Sequence, residues 1–87
     1  MPSYPPKVGQ LVKAARDIPL VGNTHISILS SVGPNNLPKG TRAEITNIQP
    51  MDIDLNCMDG NPSLGMDAWG LKIRVAKVVW GSDFEDA

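Results

Sequence analysis

The stretch Met51-Asp52-Ile53-Asp54-Leu55-Asn56-Cys57 constrains the fold more than any other part of the chain. Apolar and polar residues alternate through it without a break. A strand turns successive side chains to opposite faces, so this pattern sorts the residues cleanly into two rows. On a helix the same residues would be scattered around every side. The segment predicts a strand in an antiparallel sheet with one buried and one wet face. Met51, Ile53, Leu55 and Cys57 are expected inside, and Asp52, Asp54 and Asn56 outside.

A second segment, residues 69–80, carries the same signal. Leu71, Ile73 and Val75 alternate with Lys72, Arg74 and Ala76. Lys77 breaks the alternation, which predicts a kink near Ala76-Lys77 and a further short strand through Val78-Trp80. Upstream, residues 8–16 are expected as a strand, with Asp17-Ile18-Pro19 ending it. Residues 17–25 are expected as loop and His25-Ile26-Ser27-Ile28-Leu29-Ser30 as a strand. Gly33-Pro34-Asn35-Asn36-Leu37-Pro38-Lys39-Gly40 supplies turn geometry. Thr41 to Ile48 follows as a strand with Ala43 and Ile45 on one face. Ile48 falls out of that register, which predicts a bulge or sharp bend near Asn47. Asp59-Gly60 opens an exposed loop over residues 59–68.

Five or six short strands with turn signals between them predict a small antiparallel sandwich or barrel. The order resembles that of SH3-like β-barrels. Val8-Gly9-Gln10-Leu11-Val12 resembles their first strand, and residues 17–38 their long irregular excursion. Leu37-Pro38-Lys39-Gly40-Thr41-Arg42-Ala43-Glu44-Ile45 resembles the lead-in to their second strand; a meander and a short last strand complete the set. The resemblance spans roughly residues 8–81. It implies a five- to six-stranded barrel. The aromatic ridge of peptide-binding SH3 domains, a run such as Ala-Leu-Tyr-Asp-Tyr, is absent, so a proline-rich ligand is not implied. The expected organisation is an extended proline-rich arm at 1–7, one barrel at 8–81 and an acidic tail at 82–87.

The 87 residues suffice for one domain and bury only a thin core. Cys57 is the single cysteine, so no disulfide can form within the chain. A lone cysteine fits a reducing compartment, and no long apolar run marks a leader or a membrane span. The expectation is a soluble, cytoplasmic protein with no membrane attachment. Asn61-Pro62-Ser63 carries the proline that forbids N-glycosylation.

Catalytic chemistry finds little to stand on. A nucleophile needs a base beside it, and His25 is the only histidine. Cys57 belongs to the apolar row of its strand, where a thiol packs as a small hydrophobe. Asp52 and Asp54 could share a cation, but alternation already accounts for them as a solvated face. Adding Asp59 and Asp67 matches no EF-hand spacing. Neither Gly33-Pro34-Asn35-Asn36 nor Gly60-Asn61-Pro62 has the spacing of a phosphate loop. No enzyme, cofactor or metal site is expected.

Binding is the remaining reading. Tyr4 and Phe84 fall in the two expected arms, and Trp69 and Trp80 flank the last β segment, each either core or exposed anchor. With the acidic Asp83 and Glu85 they form the expected partner-binding set. The partner would be another protein or a second copy of the chain, in an assembly role such as a virus-encoded factor, a virion component or an accessory subunit. The alternative is a nucleic-acid-binding barrel using Lys13, Arg16, Lys39, Arg42, Lys72 and Arg74 on one face. The net charge of −1 and the few aromatics count against it.

Overall fold

The computed structural model describes residues 1–30, 35–58 and 71–87. Among these residues eight strands run in chain order: β1 (Leu11–Ala14), β2 (Ile18–Pro19), β3 (Ile26–Ile28), β4 (Asn36–Leu37), β5 (Arg42–Ile48), β6 (Asp52–Cys57), β7 (Leu71–Ala76) and β8 (Phe84–Asp86). A 3-10 turn at Lys77–Val79 and a single helical turn, α1 (Trp80–Asp83), lie between β7 and β8. The chain is mostly β, as the alternation predicts. Six strands form one antiparallel sheet in the order β3-β7-β6-β5-β1-β8, and β2 and β4 pair separately.

The meander β5-β6-β7 carries the central register. Ile45 faces Leu55, which faces Ile73, and Ala43 faces Cys57, which faces Leu71. All six are buried and share one face. Ile53 and Val75 continue the row, and Ile26 of β3 extends it across β7. β1 adds Val12 and Ala14, and the excursion after it adds Ile18, Leu20 and Leu37. One cluster therefore draws on nearly every element.

The expected irregularity in β5 is present. Pairing with β6 shifts by one residue between Ile45 and Asn47, leaving Thr46 as the extra residue of a bulge. Beyond the bulge Ile48 faces Ile53 and packs against the core. At Gly40 φ is +87°, in the left-handed region where glycine carries no Cβ penalty. That turn is closed by Thr41, whose N–H and hydroxyl both donate to the Pro38 carbonyl, at 3.1 and 2.7 Å.

Four expectations need correction. β6 begins at Asp52, and Met51 is exposed. Met51 sits in the tight connection from β5, where the Gln49 N–H donates to the Asp52 carbonyl and the Met51 carbonyl accepts from the Lys77 N–H. Residues 77–80 do not resume a strand; the break at Lys77 starts the helical turns instead. The loop at 17–25 contains β2, paired with β4. Finally, residues 82–87 are no free tail, because β8 pairs with β1 through Val12–Asp86, Lys13–Glu85 and Ala14–Phe84. The expected loop at 59–68 and Trp69 lie outside the described residues.

Candidate functional site

The C-terminal acidic run acts as a structural clasp. Trp80 and Phe84 stand four residues apart across α1, and their rings stack at 5.2 Å between centroids. Phe84 is 0% exposed and Trp80 7%. Asp83 is 3% exposed and accepts a hydrogen bond from Arg16 Nε at 2.9 Å. Glu85 reaches Lys13 at 3.9 Å across the β1–β8 pair. Of the expected partner-binding set, Phe84, Trp80 and Asp83 are thus interior, and Glu85 is half-buried in an ion pair. Phe84 was expected in a tail because its neighbours are acidic. Those acids find cations or hydroxyls at the sheet edge, which lets the ring between them turn inward.

Among the described members of the set, Tyr4 faces water, with 86% of its surface exposed. Its segment is not a free arm. The Ser3 N–H and hydroxyl both donate to the Asp86 carboxylate, at 2.8 and 2.6 Å, and Gln10 Nε2 donates to the Ser3 carbonyl at 3.2 Å. The Ser3 hydrogen bonds hold the Asp86 carboxyl below the usual carboxylate range. Pro2 is buried, and the Met1 side chain comes within 2.9 Å of where a Gly81 Cβ would stand. The first residues therefore lie over α1 and beside β8.

Two grooves flank Tyr4. One, of about 410 Å³, runs along Ser3, Pro5, Lys7, Val8 and Gln10. The other, of about 250 Å³, lies between Tyr4-Pro5-Pro6 and the residues Ile48, Ile53, Lys77 and Trp80. Met51 and Val78 are exposed nearby in the chain, and the Met51 carbonyl accepts from the Lys77 N–H. Ile48 and Lys77 were missed as site residues. Both announced themselves as breaks in an alternating pattern, one from the bulge and one from the end of β7.

The six basic residues do not make one free cationic face. Arg16 pairs with Asp83, Lys13 with Glu85, and Arg74 with Asp54. Lys72 stands in a cross-strand row with Asn56 and Glu44, so a carboxylate interrupts it. Lys39 and Arg42 are exposed. Asp54, expected on a solvated face with Asp52, is only 8% exposed. Arg74 donates to it twice, from Nε at 2.8 Å and from Nη2 at 3.2 Å. Those bonds outweigh burial and hold the Asp54 carboxyl below the usual carboxylate range, with Asn47 adding a further hydrogen bond. Cys57 is buried in the core, and His25 is exposed at the start of β3. Among the described residues no three acidic, histidine or cysteine side chains converge, and no helix is long and apolar enough to cross a membrane.

No family model, curated protein or solved structure matches this chain.

Proposed function

We propose that the chain is a non-enzymatic protein-binding or assembly module built on an SH3-like barrel. The barrel reading is supported by strand order. A first strand, a long irregular excursion, a three-stranded meander and a short last strand follow one another, and the first strand pairs with both the meander and the last strand.

One observation carries the binding reading: Tyr4 is presented to solvent on a segment fastened to the barrel at Ser3, with a groove on each side. An exposed tyrosine one residue from an anchored serine loses less freedom when a partner covers it than one on a free arm, so more of its contact area converts into affinity. The pairing of Lys13, Arg16 and Arg74 with carboxylates favours this reading over a nucleic-acid interface, which needs cations free to neutralise phosphates.

The test is affinity capture from the native cell with the full chain and with Tyr4→Ala, alongside light scattering of each. Loss of the captured partners with Tyr4→Ala supports the reading. A mass at a multiple of 9.3 kDa that collapses to the monomer in the variant identifies the partner as a second copy. Identical partners and identical mass for both proteins overturn it.

A further inference from the structure

The two grooves beside Tyr4 share an electrostatic character that the near-neutral net charge conceals. Among the described residues, the one charged residue lining the larger groove is Lys7, and the one lining the smaller is Lys77. Neither lining contains a carboxylate among the described residues. Among the described residues neither lysine forms an ion pair. Lys13, Arg16 and Arg74 each meet an acid, whereas Lys39 and Lys72, like these two lysines, form no ion pair among the described residues.

The smaller groove adds an unmet donor. Trp80 lines it and is almost wholly buried, yet its indole Nε1 has no acceptor among the described residues. Buried donors without partners are exceptions in folded proteins. The segment that rims the groove, Tyr4-Pro5-Pro6, makes no hydrogen bond among the described residues, while Ser3 and Lys7 on either side are bonded. The indole Nε1 is closed off in the unbound chain, so an acceptor reaches it only when this rim gives way between its bonded ends. At a share of about 30 Å³ per water, the groove holds roughly eight waters' worth of liquid, enough for a branched side chain and one peptide unit.

We propose that these grooves take an extended acidic-apolar peptide segment of a partner protein. An apolar side chain of that segment fills the space between Pro6, Ile48 and Ile53. A carbonyl accepts from Trp80 Nε1, and carboxylates on either side of the apolar residue pair with Lys7 and Lys77. This rests on the protein-binding reading above and names the chemistry of its partner.

The probe is a dye-labelled, end-blocked octapeptide of alternating leucine and glutamate, compared with its leucine–glutamine twin by fluorescence anisotropy against the full chain. The glutamate peptide binds about tenfold tighter than the glutamine peptide at low salt, and raising ionic strength narrows the gap. Lys7→Gln combined with Lys77→Gln removes the discrimination; both lysines are exposed, so the fold is kept. Trp80→Phe keeps a ring on Phe84, removes the donor and weakens both peptides by roughly three- to tenfold. Equal binding of the two peptides, no binding of either at millimolar concentration, or discrimination that survives the double lysine variant overturns the proposal. If a captured cellular partner is lost with Tyr4→Ala and unmoved by the double lysine variant, this inference fails and docking on Tyr4 stands.

Discussion

Replacing Phe84 by alanine is expected to cost more than any other change in the last six residues. The side chain is fully buried, stacked on Trp80, and belongs to the core cluster. Truncation of a buried phenylalanine costs about 3–5 kcal/mol in lost transfer free energy and residual cavity. The position favours the upper half of that range, because loss of the stacked pair adds about 0.5–1.5 kcal/mol and β1 and β8 leave the site little freedom to collapse. At roughly 0.05–0.15 kcal/mol per residue, the whole domain holds about 4–13 kcal/mol. Phe84→Ala therefore removes a third or more of it and lowers Tm by roughly 15–25 °C. Thermal and urea unfolding followed by far-UV circular dichroism read this directly, with Val78→Ala as the exposed control, expected within about 0.5 kcal/mol of the parent. A Phe84→Ala protein whose midpoint moves no further than the control would refute the clasp and return residues 82–87 to a free tail.

Further outcomes concern the polar contacts and one turn. Asp54→Asn should cost about 1–2 kcal/mol at neutral pH, discounted because Arg74 keeps one side in water. The folded Asp54 carboxyl titrates below its ordinary 3.8, so its stabilisation is fully present above the unfolded value and is lost as pH falls through the folded one. The acid limb of a stability–pH curve should accordingly be shallower in Asp54→Asn than in the parent; superimposable limbs would exclude this role. Gly40→Ala should destabilise by about 1 kcal/mol from the positive φ alone, since a Cβ there meets nothing within 4 Å. Ser3→Ala should raise amide exchange across residues 3–8 and leave exchange in the meander unchanged; unchanged exchange at both would mean the Ser3–Asp86 pair does not hold the N-terminal segment.

Much of the fold was legible because strand periodicity is a local property. The apolar members of the alternation, Ile53, Leu55 and Cys57 and then Leu71, Ile73 and Val75, are all buried, and the slip at Ile48 reported the bulge. The C-terminal segment was illegible for the opposite reason. Ser82-Asp83-Phe84-Glu85-Asp86 reads as a solvated acidic run until Arg16, Lys13 and Ser3 are known to stand opposite it, and those partners lie 67 to 83 residues away where hydrogen bonds record them. Asp54 was misread similarly: an aspartate on an outward row is wet unless the facing strand offers an arginine and a bulge crowds it. Of the candidate site, Tyr4 was legible from its type and setting. The grooves were not: the smaller forms only when the first residues lie against the turn after β7 and the end of β5, and the larger only when residues 3–10 fold back on themselves.

The most direct measurement of the central claim is hydrogen exchange of the full chain, free and bound to its captured partner. Docking on Tyr4 and its grooves predicts new protection at residues 3–10, 48–53 and 77–80, with the outer face of β3 and β7 unchanged. Protection confined to Lys72, Arg74 and the β3 edge, with residues 3–10 exchanging as in the free protein, would contradict it.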